Sequence, residues 1–299
     1  MMKKLAFTIF ILLCVVISAQ AQIFYKVSGN GLEKPSYLFG THHLAPLSVF
    51  TENADAQEAF ASAGQIVGEI DIKGNPLQVS AKMTPYMLAP IDSTLSKVIP
   101  SNQYAEADSL LQEIFKTPEI TLKTFEIFKP AVLTQQITVA IIIQNMPGYK
   151  AEEQLDYYFQ LLGIEEGKKI LAFETVEQQA EILFRSQSIQ SQAEELLEIL
   201  ANPQDLALEA QKLNKAYLAQ DIDAMFHMAL SENIDPDFFE KLTTQRNNNW
   251  IQQLPEIMKA DSTFVAVGCL HLIGETGLVQ QLRNLGYTVE AYRPKHQTN

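Results

Sequence analysis

Two copies of one short motif, at opposite ends of the chain, constrain the fold more than any other feature. Residues 40–44 read Gly-Thr-His-His-Leu and residues 268–272 read Gly-Cys-Leu-His-Leu. Each motif follows an apolar segment that predicts a buried strand, and its glycine would let the backbone turn sharply. The carboxyl ends of parallel strands share one edge of a sheet, where ligands bind. The sequence therefore predicts that His43 and His271 belong to one site.

The remaining patterns predict an α/β fold with a central, mostly parallel sheet built from both chain ends and a middle strand. Strands are expected at residues 23–27, 36–39, 65–72, 168–173, 263–268 and 287–292. A helix at 54–63 joins the second strand to the third, which predicts that these two strands are parallel neighbours. Gly68, inside the third strand, indicates that another group packs closely against it.

The middle of the chain predicts a large helical insertion, at about residues 77–165 and 175–258. Apolar residues recur at three- and four-residue spacing in residues 101–115, 131–146 and 152–162. We therefore expect residues 22–299 to form a single α/β domain with helices inserted between its strands.

The first 21 residues have the pattern of a secretory signal peptide. Lys3 and Lys4 precede an apolar core, and residues 19–21 read Ala-Gln-Ala, a small-x-small cleavage site. We expect an exported protein, periplasmic or secreted, with no membrane span after signal cleavage. Cys269 is then the single remaining cysteine, which excludes an intrachain disulfide.

The charge of the chain argues against nucleic-acid binding. The sequence carries 35 acidic and 22 basic residues, a formal net charge of −13. Such a surface repels phosphate backbones and anionic lipid.

A metal site is the functional interpretation of the paired motifs. His43 and His271 follow strand ends, and Glu69 lies on the strand expected beside the first. Two imidazoles and a carboxylate suit zinc, manganese, iron or cobalt better than calcium. Water on such a metal becomes acidic enough to attack a carbonyl. The alternative is that each histidine is a packed residue, and that Glu69 needs another cation or a proton to be buried.

Other residues also have a functional and a structural interpretation. Glu174, at a strand end, is either a base or a helix N-terminal acid. Arg246 either stabilises an oxyanion or lies on a solvated helix face. Cys269 is interpreted as an apolar filler. His42 competes with His43, because adjacent side chains on an extended segment point in opposite directions.

Three segments together resemble the TraB/GumN family, which is related to the TIKI metalloproteases and to the erythromycin esterase/ChaN-like group. They are residues 37–44, Glu69 within residues 67–71, and residues 267–272 with Gly286-Tyr287. Residues 156–159 and 173–178, and Arg246-Asn247 with Trp250, support the resemblance. It spans most of residues 23–292 and is weak from about 77 to 145.

This resemblance implies metal-dependent hydrolysis of peptide bonds. His43, His271 and Glu69 would hold a divalent ion (manganese, cobalt or zinc), with Arg246 nearby and Glu174 or Glu69 as base. The expected partner is a peptide or other small organic substrate. His42 and Cys269 depart from the residues common at their positions in the family.

Two alternatives stay open, because relatives include sequestering and haem-binding proteins. One is a non-catalytic binder of a peptide or small ligand, and the other is a haem-binding protein.

Overall fold

A computed structural model of the chain describes residues 22–72, 76–150, 153–231 and 235–292. The predicted signal peptide lies outside these residues and stays a prediction. The fold is α/β, as predicted, with one six-stranded sheet. Its strands are β1 (Phe24–Ser28), β2 (Ser36–Thr41), β3 (Gln65–Ile70), β4 (Lys169–Glu174), β5 (Thr263–Gly268) and β6 (Thr288–Ala291).

The sheet has the strand order β4-β3-β5-β2-β1-β6. Strands β2, β3, β4 and β5 run parallel, whereas β1 is antiparallel to both of its neighbours, β2 and β6. Both chain ends and the middle strand β4 therefore contribute to one sheet, as the sequence predicts. The carboxyl ends of the four parallel strands lie along a single edge.

The predicted pairing of β2 with β3 is wrong. Strand β5 lies between them, with Thr41 opposite Gly268 on one side and Val67 opposite Val265 on the other. The connection is a parallel crossover, but it passes over a strand from the far end of the chain. This insertion places the second Gly-x-x-His motif next to both β2 and β3.

Helices fill most of the chain between β3 and β5. Ser101–Phe115 forms α5 with the predicted bounds, and Asn53 caps the helix Ala54–Ser62 through a hydrogen bond from Ala56 N–H to its side chain. The helices are α1 (Ser48–Thr51), α2 (Ala54–Ser62), α3 (Pro76–Met87), α4 (Leu95–Val98), α5 (Ser101–Phe115), α6 (Pro130–Asn145), α7 (Leu155–Glu165), α8 (Val176–Arg185), α9 (Ile189–Ala201), α10 (Pro203–Leu218), α11 (Ile222–Ser231), α12 (Pro236–Leu242), α13 (Thr244–Trp250), α14 (Leu254–Ala260) and α15 (Leu278–Asn284). None of the helices in the described parts of the chain has the length and apolar character that crossing a membrane requires.

The main core joins the sheet to the helices that cover it. Phe159 on α7 lies 5.0 Å from Phe264 on β5 and 4.8 Å from Phe50, between ring centroids. Gly163 lets α7 approach the sheet closely, because a Cβ there would lie 2.8 Å from the side chains of Ile66 and Ile170. Helix α7 is thereby held against β3 and β4, and its first turn lies beside the sheet edge.

A second, separate core lies inside the helical insertion. It consists mainly of buried side chains from α4, α5, α6 and α9, including Leu111, Ile137 and Leu196. The insertion therefore has apolar packing of its own, and some of its helices remain free to line a pocket at the sheet edge.

Candidate functional site

The two Gly-x-x-His motifs are in direct contact. Gly40 is a residue of β2 rather than the sharp turn expected from the sequence. A Cβ on Gly40 would lie 2.9 Å from the Cα and Cβ of Cys269 and from a methyl group of Leu272. Glycine is therefore needed at position 40 because the second motif approaches it closely, and not because of the backbone dihedral angles of Gly40.

The guanidinium of Arg246, on α13, lies at the centre of the site. Its Nε donates to both oxygens of Glu174 at 2.9 and 3.1 Å. Its Nη2 donates to Glu174 at 3.0 Å and to Glu69 at 2.6 Å. Its Nη1 faces the Leu242 carbonyl at 3.3 Å and His271 Nε2 at 3.2 Å. A guanidinium has five N–H groups, so every donor of Arg246 is engaged.

The alternative interpretation of Arg246, that it lies on a solvated helix face, is therefore wrong. The residue is 6% exposed, and the next residue, Asn247, is 1% exposed. An arginine can be buried here because two carboxylates from strand ends neutralise and hydrogen-bond it. Arg246 holds its neighbours in place, and in this arrangement it has no N–H left to offer an oxyanion.

His271 is held as a neutral ring with its proton on Nδ1. Arg246 can only donate, so Nε2 of His271 accepts, and Nδ1 donates to Asn247 Oδ1 at 2.7 Å. Burial lowers the pKa of His271 to about 4, although the negative charge of Glu69 acts in the opposite direction. Trp250 packs on the ring with centroids 4.4 Å apart. The orientation and tautomer of this imidazole are thus both fixed.

Glu69 is an ionised carboxylate near the end of β3. Burial alone would raise its pKa, but the charge of Arg246 and a hydrogen bond from Gly268 N–H lower it to about 2. That N–H donates to Oε1 at 2.9 Å, and Gln179 donates to Oε2 at 3.3 Å. Glu69 therefore has the cation that its burial requires, and the cation is an arginine.

Glu174 is buried beneath the same arginine. It accepts from Arg246 and, at 2.7 Å, from Trp250 Nε1. The indole of Trp250 also stacks on Phe173, with the ring planes 11° apart. The interpretation of Glu174 as a helix N-terminal acid is wrong, because Thr175 caps α8 and Glu174 belongs to the strand end.

His43 lies on another wall of the site, beside α7. Its Nδ1 is 3.4 Å from Asp156 Oδ2, and Asp156 Oδ1 accepts from Thr41 at 2.6 Å. The interaction with Asp156 raises the pKa of His43 to about 9, despite some desolvation. About 73% of the His43 side chain is exposed, and it faces the open space of the pocket. At neutral pH it is therefore mostly an imidazolium.

His42 is the less exposed member of the adjacent pair. Its ring lies 5.3 Å from that of Tyr217, whose hydroxyl donates to the Gly40 carbonyl at 2.7 Å. Burial lowers the pKa of His42 to about 4, and its buried Nε2 has no hydrogen-bond partner among the described residues. Cys269 is 2% exposed and burial raises its pKa to about 12, which agrees with its interpretation as an apolar filler.

These residues line one pocket of about 1040 Å³ at the sheet edge. His42, His43, Glu69, Arg246 and His271 contribute its polar floor. The rest of the lining is largely apolar and comes from insertion helices and from the segment after β3. A volume of this size accommodates an organic ligand.

The donor atoms of two of the three predicted metal ligands, His271 and Glu69, are already engaged. His271 Nε2 lies against Arg246, and Glu69 Oε1 and Oε2 accept from Gly268 and Arg246. Within residues 22–72, 76–150, 153–231 and 235–292, no group of three or more His, Cys, Asp or Glu side chains could hold a metal ion. As arranged, His43, His271 and Glu69 do not fit a metal, and their role as ligands stays a prediction.

The sequence analysis assigned no role to several residues of the site. Asn247 and Trp250 entered only as support for the family resemblance, although Trp250 lies four residues after Arg246, a spacing that places both on one helix face. Gln160 donates to the Ile70 carbonyl at 2.9 Å and accepts from Ile72 N–H at 3.1 Å. A Cβ on Gly68 would meet its amide, which confirms that a group packs closely there.

One comparison with known proteins identifies the family of the chain. The profile of the TraB/PrgY/gumN family matches residues 23–291, nearly the whole chain. No curated protein and no solved structure matches the chain. The matched region includes both Gly-x-x-His motifs, Glu69, Glu174 and Arg246, and the chain therefore belongs to the TraB/PrgY/gumN family.

Proposed function

We propose that the chain is a hydrolase that binds a peptide or other small organic substrate in the pocket at the sheet edge. One observation carries the proposal: the histidines of both motifs, Glu69 and Arg246 line a single cavity large enough for such a molecule. Residues from strand ends that are far apart in sequence meet there, as in most ligand sites of α/β sheets.

The residues of the pocket have distinct chemical capacities. His43, protonated and open to the pocket, can donate a hydrogen bond to a substrate carbonyl or a proton to a leaving amine. Glu69 faces the pocket and is the better placed of the two predicted bases, because Glu174 is buried under Arg246 and Trp250. Arg246 supports the reaction by holding Glu69 and His271 in fixed positions.

The divalent ion implied by the family resemblance, manganese, cobalt or zinc, enters the proposal only as a prediction. No step is assigned to it, because His271 and Glu69 have no unengaged donor atom. Elemental analysis of the purified protein, beside His271→Ala, tests it. Metal bound by the wild type and lost from a folded variant would establish a ligand role.

A non-catalytic binding protein is the second candidate, and the pKa values of the site favour it. The pKa of Glu69 is about 2, that of His271 about 4 and that of His43 about 9. General acid–base catalysis works best with a pKa near the working pH. None of these three pKa values lies near neutral pH, and binding, unlike acid–base catalysis, does not require one that does. Haem binding stays a prediction, which an absorbance titration with haemin tests.

The test of hydrolysis uses blocked peptides at pH 7 and mass spectrometry of the products. The reaction is run without added metal and, in separate arms, with manganese, cobalt or zinc. The wild type is expected to cleave the peptides. Glu69→Gln keeps the shape of the side chain and should abolish cleavage, whereas Glu106→Gln, at an exposed position of α5, should leave it unchanged. Binding without cleavage by the wild type in every arm would favour the non-catalytic candidate.

We also propose that the protein is exported, on the basis of residues 1–21. Mass spectrometry of the protein recovered from cells tests this, since cleavage after Ala21 leaves Gln22 as the first residue. A full-length product retained in the cytoplasm would contradict it.

A further inference from the structure

The walls of the pocket are more apolar than its floor. Ile182 and Leu183 come from α8, Leu213 from α10, and Phe239 and Leu242 from α12. All five side chains are only partly buried in the protein itself. Apolar side chains left open on converging helices form a surface that a ligand can cover.

The floor of the pocket provides no free lysine or arginine for an anionic ligand among its described residues. Among the described residues that line it, Arg246 is the only lysine or arginine, and all of its N–H groups are engaged. His43 is paired with Asp156, so that this pair carries little net charge. Glu69 shares the single positive charge of Arg246 with Glu174, so that these three side chains together carry a net negative charge.

An anionic group in this pocket would therefore meet the net negative charge around Arg246 without a free guanidinium or ammonium to pair with. Phosphate and carboxylate ligands are usually recognised by bidentate arginine contacts or by a helix N-terminus. Neutral amides need only single donors and acceptors, which the glutamines and His43 on the lining offer.

We infer that the ligand of this pocket has an apolar body and carries no anionic group. The inference rests on the proposed function only in placing the ligand in this pocket. The insertion helices would select the apolar body, while the carboxylates of the floor would exclude phosphorylated and carboxylate-bearing molecules.

Three dipeptides that differ only at their termini test the inference by isothermal titration calorimetry. They are N-acetyl-leucyl-phenylalanine amide, which is neutral, leucyl-phenylalanine amide, which is cationic, and N-acetyl-leucyl-phenylalanine, which is anionic. The neutral and cationic probes are expected to bind about tenfold or more tightly than the anionic one. Equal or tighter binding of the anionic probe, or no binding of any probe, would overturn the inference.

A matched pair of variants on α10 tests whether this pocket causes the preference for the neutral probe over the anionic one. Leu213→Lys places an ammonium in the wall, and Leu208→Lys places one on the outer face of the same helix, where Leu208 is 52% exposed. The first variant should weaken the neutral probe and strengthen the anionic one, and the second should match the wild type. If the wild type and both variants have the same ratio of affinities for the neutral and anionic probes, the assignment of the ligand to this pocket is overturned.

The outcomes separate this inference from the proposed hydrolysis. Mass spectrometry of each titration mixture shows whether the probe has been cleaved. Selective binding without cleavage supports the ligand class and counts against the hydrolase. Cleavage of the anionic probe in preference to the others supports the hydrolase and overturns the ligand class.

Discussion

Nη1 of Arg246 lies 3.2 Å from Nε2 of His271, and this contact decides which ring nitrogen carries the proton. A guanidinium donates and does not accept. Nε2 must therefore be the unprotonated nitrogen, and Nδ1–H is directed to Asn247. The histidine of the second motif is thus held by two residues that are themselves adjacent on α13.

The first prediction concerns that tautomer. Asn247→Asp puts a carboxylate 2.7 Å from Nδ1, where it should raise the pKa of His271, since a negative charge favours the imidazolium. Nitrogen-15 NMR of the imidazole measures both tautomer and pKa. In the wild type we expect the Nδ1–H form at pH 7, and an Nε2–H form there would contradict the assignment.

The second prediction concerns the buried charges around Arg246. Arg246→Met leaves Glu69 and Glu174 buried without their cation, which should cost about 3–5 kcal/mol of unfolding free energy. Urea denaturation measures this cost. The matched control is Arg185→Met, which breaks an exposed ion pair with Glu181 and should cost about 1 kcal/mol or less. Similar losses in both variants would show that the pairing of Arg246 is not intact in solution.

The sequence was sufficient to predict that the two motifs meet. Each motif follows a short apolar strand whose pattern is local, and parallel strand ends share an edge in any sheet of this kind. The order of the strands was not predictable in the same way. Placing β5 between β2 and β3 depends on contacts between residues about 200 positions apart, such as Gln65 with Thr263, and no local pattern records them.

The burial of Arg246 was also beyond local reasoning. Helix α13 reads Thr-Gln-Arg-Asn-Asn-Asn-Trp, a composition typical of an exposed helix face. Its arginine is buried because Glu69 and Glu174, 177 and 72 residues away in sequence, provide two carboxylates. The polarity of one helix does not contain that information. Asn247 and Trp250, on the same helix, could have indicated that this face is buried.

The third prediction concerns the contact between the motifs. Gly40→Ala places a methyl group 2.9 Å from the backbone of Cys269, which must then move, at a cost of about 1–3 kcal/mol of unfolding free energy. Gly268→Ala is the control. Its Cβ would have ordinary contacts, at 3.4 Å from Glu69 and 3.5 Å from His271. Thermal denaturation compares the two variants, and equal stability would show that the motifs are further apart than the structure has them.

The last prediction is a pH dependence of stability to which His271 contributes. Its folded-state pKa, about 4, lies below the ordinary value of 6.5, so the unfolded chain binds the proton more readily. The contribution to stability is therefore complete above pH 6.5 and is lost as the pH falls towards 4. Glu69, with a pKa lowered from 4.5 to about 2, adds a further loss below pH 4.5.

Urea denaturation between pH 7 and pH 4.5 separates the two residues, because Glu69 contributes little in that range. Wild-type stability should fall over this interval, and His271→Gln should remove part of the decline, since glutamine cannot take up a proton there. The rest comes from His42, whose pKa is also lowered to about 4. The exposed His227→Gln should retain the wild-type slope. A wild-type curve that is level from pH 7 to 4.5, or one equally steep in His271→Gln, would mean that the ring is not held neutral between Arg246 and Asn247.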